Sequence, residues 1–389
     1  MREGPAGEPR LRVAFDARYI RDSFGGIARY AYCLLVALAR APGGATLLAY
    51  YEPGQQATRF ALRELLARPN VVARAVRLPL YSPQEQLAWP LLLSRDGADV
   101  FYSPYFALPL LTRLPLVGTA HDLIFEQDPA RYRGLWVRGY YRPMMRLGLR
   151  RAAAVIAVSA ATKAGLTTFY GLAPQRVTVV PEAAAEAFRS PIPAATLAAV
   201  RERLRLPQRY LLAIGARRPH KNLGAAVRAF AAVQAEVPHS LVLVGRPDPR
   251  YPDDVAAAIA ETGARVCQLP AVAEADLPAL YALAEALLMP SLHEGFGLPA
   301  LEAMACGTPV IAANRAALPE VVDGAGLLVD LEQRGALVAA LRQVLQDEGL
   351  RADLRCRGLA RAAQFSWDRS ASLALEVFER VAKRRTNRR

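Results

Sequence analysis

Thirteen short apolar runs recur along the chain, separated by alanine- and leucine-rich stretches. Seven come first: residues 11–17 (LRVAFDA), 45–51, 71–76, 98–103, 116–122, 153–159 and 177–181. Six follow: 210–216 (YLLAIGA), 240–245, 264–269, 286–291, 309–313 and 326–330. Their apolar character is continuous rather than alternating, and a strand apolar on both faces must be covered on both, as in a parallel sheet. Strands separated by helices make βαβ units with right-handed crossovers. The rhythm breaks once, over residues 182–209, which hold three prolines, a helical segment and no strand pattern. The pattern predicts an α/β protein of two facing, Rossmann-like, doubly wound domains, 1–190 and 191–367, with the hinge near 187–196. A length of 389 residues suits two domains better than one core. Ligands of such sheets bind outside the carboxyl ends of the strands, so the expected site is the cleft between the domains.

Bulk properties narrow the function classes. With 53% hydrophobic and 22% charged residues the chain is globular. Cys33, Cys267, Cys306 and Cys356 lie far apart with no CxxC or Cys/His cluster, which argues against a metal centre or disulfide frame and for a reducing compartment. The opening MREGPAGEPR lacks the apolar region of a secretory signal, and no apolar run is long enough to span a bilayer. A cytoplasmic location is expected. The net charge of +14 comes mostly from arginine, as in RYRGLWVRGYYRPMMRLGLRR (131–151) and KRRTNRR (383–389). Nucleic acid, anionic lipid and phosphorylated small molecules all suit such a surplus, and so does an arginine-rich proteome. Arginine interleaved with Trp136, Tyr140, Tyr141, Met144 and Met145 favours peripheral contact with the inner face of a membrane over nucleic acid.

Four stretches carry chemistry. In HEGFGLPALEAMACGTPV (293–310), a buried strand ends, Glu294 follows, and Leu298–Pro299 open a helix; proline suits that first turn because its missing N–H would be unpaired there. The free N–H groups of the turn and the glycines before it make an anion site that a backbone can approach closely. Glu302 is expected in the first turn, where it would accept both hydroxyls of a ribose or simply complement the helix dipole. Glu294 would face hydroxyls of a second sugar. In AIGARRPHKNLGAAVRAF (213–230), Arg217, Arg218, His220 and Lys221 crowd the loop after another strand, as a diphosphate site would, and Asn222 is the expected cap of the next helix. In DARYIRDSFGGIARY (16–30), Gly25–Gly26 open a helix with Arg29 one turn inside, without the GxGxxG spacing of a nicotinamide site. In GTAHDLIFEQDP (118–129), His121 and Asp122 end a strand; a lone histidine is more often structural than catalytic, and the His–Asp pair at a strand end shifts the balance toward function. Ser159, ending AVIAVS, stands in a comparable strand-end position or simply caps the next helix.

Together these stretches resemble the retaining nucleotide-sugar glycosyltransferases of the GT-B fold, group 1 and family 4, over about residues 11–382. Glu294 and Glu302 match that family's E-x7-E motif; GGIARY, HDL and RRPHKN look like its glycine loop, its histidine-containing donor loop and its diphosphate loop; ALPEVVDGAGLLVD (317–330) and FSW (365–367) match later segments. The resemblance implies a donor domain over 191–367, and over 368–389 a helix crossing back to the first domain plus a basic tail. It implies that Lys221 holds the diphosphate, Glu302 the ribose, Glu294 and the backbone of Gly295, Phe296, Gly297 and Leu298 the donor sugar, and that His121 contacts the sugar near the reacting carbon. Gly25 and Gly26 would line the acceptor or phosphate side. The chain departs from the family pattern at Ala216, where an arginine is usual and Arg217 or Arg218 would substitute, and at Glu182–Ala183, where Asn–Gly is usual. The implied activity is hexosyl transfer, mannosyl or related, from a nucleotide diphosphate sugar of the GDP-mannose or UDP-hexose type to a glycan, lipid-linked or small-molecule acceptor. No cofactor or metal is implied, and the chain has no DxD element. A sugar-nucleotide epimerase of the same fold, a nicotinamide oxidoreductase and a non-catalytic sugar-nucleotide binder are the competing expectations.

Overall fold

The computed structural model describes residues 10–42 and 44–386. The N-terminal stretch read as lacking a leader and the end of the basic tail lie outside them. The chain forms two compact units. Unit 1 takes the chain through Glu182 and again from Trp367, and unit 2 takes Ala183–Ser366. The sequence places these divisions at 190/191 and 367/368.

All thirteen apolar runs form strands. Unit 1 holds β1 (Arg12–Asp16), β2 (Thr46–Tyr51), β3 (Val71–Ala75), β4 (Val100–Ser103), β5 (Leu116–Ala120), β6 (Ala154–Ala157) and β7 (Val177–Val179). They make one sheet in the order β3-β2-β1-β4-β5-β6-β7. Every pairing is parallel, with Ala14 opposite Leu48 on one side and Phe101 on the other. Unit 2 holds β8 (Tyr210–Ile214), β9 (Ser240–Val244), β10 (Val266–Leu269), β11 (Ala286–Met289), β12 (Val310–Ala313) and β13 (Leu327–Val329), in the order β10-β9-β8-β11-β12-β13. These too pair in parallel throughout. In each sheet the order reverses once, between β1 and β4 and between β8 and β11. At such a point successive crossovers leave toward opposite faces and open a crevice at the strands' carboxyl ends.

The inner strands of each sheet are buried on both faces, as continuous apolar strands require, while the edge strands β3 and β10 are only partly covered. Leu48, Trp89, Phe101, Leu116 and Leu166 are among the core of unit 1, and Leu211, Phe230, Leu241, Leu288 and Leu341 among that of unit 2. The helix Trp367–Thr386 packs against the helix Gly26–Arg40. Ala371, Ala374, Phe378 and Val381, at helical spacing, are its buried stripe. Phe378 meets Tyr102 of β4 at 5.0 Å between ring centroids, and the Ser370 hydroxyl donates to the Pro181 carbonyl at 2.6 Å. This helix is therefore part of the unit 1 core.

The arginine-rich 131–151 stretch differs from expectation. Tyr132, Val137, Tyr141, Met145 and Leu149 are buried, so most of its apolar face is spent on the core of unit 1. Leu135, Trp136 and Leu147 remain exposed, at 88%, 44% and 48%, among the exposed Arg131, Arg133, Arg138, Arg146 and Arg150. Among the described residues, no helix is long and apolar enough to cross a membrane.

Candidate active site

At the reversal point of unit 2, two loops 73 residues apart in sequence converge. Lys221 follows β8 and Glu294 follows β11, and the Lys221 ammonium donates to both carboxylate oxygens of Glu294, at 2.7 and 3.0 Å. The pair is mostly buried, with side chains 17% and 10% exposed. The loops are locked to each other as well: Leu292 N–H donates to the His220 carbonyl at 2.7 Å, and the Asn222 amide donates to the Pro290 carbonyl at 3.1 Å. Asn222 does stand at the N-cap position of the helix Leu223–Ala231, in a left-handed conformation. Its side chain, however, makes no cap bond, because its amide is used to hold the second loop.

The four cationic or titratable groups expected on the first loop part company. Arg217 is turned into unit 2, where its guanidinium donates to the Asp253 carboxylate at 2.8 Å, the Gln268 side-chain oxygen at 2.6 Å and the Gly245 carbonyl at 3.2 Å. An arginine with three internal acceptors is a structural tie between strand ends. Arg218 stays near the surface, its side chain 44% exposed beside Asp248 at 3.1 Å. His220 is buried; burial, and then the Lys221 and Arg218 cations, push its imidazole down to about 2, so it is neutral at physiological pH. Of this loop's charges, Arg218 is the one near solvent, and Lys221 is mostly buried against Glu294.

The stretch after Glu294 is shaped by Gly297, the residue preceding the helix Leu298–Ala305. Its φ of +105° is one that residues with a side chain rarely adopt, and a Cβ there would stand 2.8 Å from a Leu318 methyl. Phe296 is buried, edge-on to Phe365 at 5.7 Å, and Leu298 is buried behind it. Glu302 is the fifth residue of that helix, so it lies in the second turn, not the first as expected. It is 1% exposed, and the Tyr281 hydroxyl donates to its Oε2 at 3.0 Å. Its side chain points into unit 2, and a dipole-complementing role in the first turn falls away with the correction. Burial and the nearby Glu302 charge push the Cys306 thiol up to about 12, which removes it as a nucleophile.

Unit 1 presents its own strand ends. Gly25, at φ +53°, immediately precedes the helix Gly26–Arg40. His121 follows β5 and is buried; its Nε2 lies 2.8 Å from the Pro104 carbonyl and its Nδ1 3.3 Å from a Glu182 carboxylate oxygen. Tyr30 packs edge-on against its ring, 4.6 Å between centroids at 89°, and the Tyr105 ring lies 6.2 Å away. Asp122, next to His121 in sequence, accepts from the Ile124 N–H at 3.2 Å, a local loop bond. Ser159 caps the helix Ala160–Tyr170 by accepting from the Thr162 N–H at 3.0 Å.

Sequence patterning alone missed Tyr281, Pro104 and the partnership of Glu182 with His121. Tyr281 lies in a helix of apolar residues and reads as core. Glu182 carried one signal, its place where the family pattern has asparagine.

Two family models match the chain: Glycosyltransferase Family 4 over residues 24–184 and Glycosyl transferases group 1 over residues 199–361. O-antigen chain mannosyltransferase B of Escherichia coli is 30% identical over 390 residues, covering 95% of this chain and 100% of that one. Serotype-specific mannosyltransferase WbdA of the same organism is 30% identical over 273 residues, 68% of this chain and 33% of that much longer protein. Among solved structures, Anabaena HepE in complex with UDP and glucose superposes with a TM-score of 0.72 at 20% identity, over 94% of this chain and 98% of that one.

Proposed function

Since the chain belongs to the group 1, family 4 glycosyltransferases, we propose that it transfers a mannosyl or related hexosyl group with retention, from a GDP-mannose or UDP-hexose type donor to a glycan, lipid-linked or small-molecule acceptor. It is a nucleotide-sugar glycosyltransferase of GT-B fold and a hexosyltransferase. The observation that carries the site assignment is the Lys221–Glu294 pair at the reversal point of unit 2. Before donor arrives, the ammonium and the carboxylate neutralise each other in a place that water reaches poorly. A donor diphosphate gives Lys221 a stronger partner, with Arg218 near the rim, and frees the Glu294 oxygens to accept hydroxyls of the sugar. Glu302 accepts the ribose hydroxyls at the floor of the site, steadied by Tyr281, while the Gly295–Leu298 backbone follows the sugar.

In the transfer, the bond between the anomeric carbon and the phosphate oxygen breaks while the acceptor oxygen bonds to that carbon on the same face. The acceptor proton passes to the departing phosphate oxygen. Negative charge grows on the diphosphate as the bond breaks, and Lys221 is the fixed counter-charge that stabilises it. Within unit 1, the family resemblance assigns His121 to the reacting sugar and the Gly25–Gly26 turn to the acceptor or phosphate side.

The test is a panel of GDP-mannose, UDP-glucose and UDP-galactose followed by thermal shift and by donor consumption. One donor is expected to raise the melting temperature and to be consumed when acceptor is added. No shift and no consumption with any of them would overturn the reading, and conversion of the sugar without acceptor would instead mark an epimerase.

The reading extends to an anionic lipid surface, touched through Leu135 and Trp136 among their arginines. Co-sedimentation with phosphatidylglycerol vesicles, weakened at least several-fold by Trp136→Glu, is expected; equal binding of both proteins would remove this contact.

A further inference from the structure

Glu182 is a buried carboxylate, 7% exposed, on the segment by which the chain leaves unit 1. Glutamate is seldom buried unless paired, and the group facing it is Nδ1 of His121 at 3.3 Å. The other ring nitrogen of His121 faces the Pro104 carbonyl at 2.8 Å. A carbonyl oxygen accepts and cannot donate, so Nε2 must carry a hydrogen. A neutral imidazole then has a lone pair on Nδ1, aimed at an oxygen that is also an acceptor when ionised. Two lone pairs do not attract, so the arrangement requires one more proton between them. Imidazole is the stronger base of the two groups, so the proton belongs on Nδ1, where the carboxylate oxygen accepts it.

We propose that Glu182 is a positioning residue for His121: it keeps Nδ1 protonated, so that an imidazolium, tethered at both nitrogens, stands at the end of β5. The other groups around the ring are Tyr30, edge-on at 4.6 Å, and Tyr105 at 6.2 Å. Tyr30 is itself engaged with the Tyr102 hydroxyl at 3.0 Å, and its phenol is pushed up to about 12 by burial, so it stays neutral. With both N–H groups committed inside unit 1, His121 offers a ligand its charge and its ring carbons, not a free N–H. The kinetic consequence rests on the reading that His121 serves the reacting sugar. The protonation does not.

The experiment uses the full-length protein labelled with 15N in histidine, where four residues give resolvable signals and His121→Asn assigns the relevant one. At pH 7.5, without nucleotide sugar, both His121 nitrogens are expected to show protonated shifts. In Glu182→Gln, whose amide can donate to Nδ1, Nδ1 is expected to move to the shift of an unprotonated acceptor. An unprotonated Nδ1 in the wild type would overturn the proposal, as would an unchanged spectrum in the variant; if the variant does not fold, the wild-type spectrum alone decides. In turnover, Glu182→Gln is expected to lower kcat on the order of tenfold or more with donor KM nearly unchanged, as when a carboxylate that orients an imidazole is lost. A change confined to KM would make Glu182 a donor contact instead. Normal turnover with the expected spectra would leave the proton where proposed and overturn the role of His121 at the sugar.

Discussion

Lys221→Ala is expected to lower kcat/KM for transfer about 10²- to 10³-fold, the range lost when one preorganised group opposite a developing negative charge is removed. The substitution also leaves the Glu294 carboxylate, 10% exposed, without its cation, and a buried charge stripped of its partner destabilises the fold. The two effects separate cleanly. Lys221→Ala combined with Glu294→Gln removes the orphaned charge and is expected to regain most of the lost melting temperature without regaining activity. Single-turnover rates and thermal melts of both variants check this. If the double variant recovers activity, or if Lys221→Ala turns over normally, Lys221 is not the counter-charge of the leaving group.

Glu302→Ala is expected to weaken binding of a nucleoside diphosphate by about 10²- to 10⁴-fold, because hydrogen bonds to a charged acceptor contribute about 1.5–3 kcal/mol each and ribose presents two hydroxyls. Loss of the carboxylate also leaves the buried Tyr281 hydroxyl without this acceptor, and a modest drop in melting temperature accompanies it. A chemical control distinguishes ribose contact from general damage. Wild-type protein should bind the 2′-deoxy nucleotide more weakly than the ribo form, and Glu302→Ala should bind both alike. Calorimetric titration of the four combinations gives the answer; a variant that still discriminates between the two nucleotides would show that another group holds the ribose.

The fold was legible in the sequence because burial on both faces writes itself as uninterrupted apolar runs, and residues 210–216 or 286–291 admit little else. The convergence of Lys221 and Glu294 was legible in part: strand-end positions said that both belonged near the sheet's carboxyl edge. Their direct pairing needed the strand order, since only the adjacency of β8 and β11 puts the two loops side by side. The fate of individual arginines was not legible. Arg217 and Arg218 are neighbours in the same loop, yet one is consumed by Asp253, Gln268 and Gly245 and the other reaches the surface. What decides between them is which acceptors β9 and β10 bring within reach, and no local pattern records that. Glu302 missed its expected turn for a simpler reason: the helix begins at Leu298 itself, so its first turn is complete before Glu302. In the 131–151 stretch an amphipathic pattern was correctly seen, but such a pattern does not say whether its apolar side meets lipid or the protein's own core.

The helix Trp367–Thr386 completes unit 1 after the whole of unit 2 has been traversed, and this has a consequence for the order in which the chain can be assembled. During synthesis the segment that forms unit 2 leaves the ribosome in one piece and can close its core as a unit. Unit 1 has by then presented its sheet but still lacks Phe378 and the small residues that cover the helix Gly26–Arg40. The first-made half is therefore the last to be finished. In the interval Tyr102 and its neighbours await a partner, so the nascent chain is most in need of protection from aggregation while the later half is already folded.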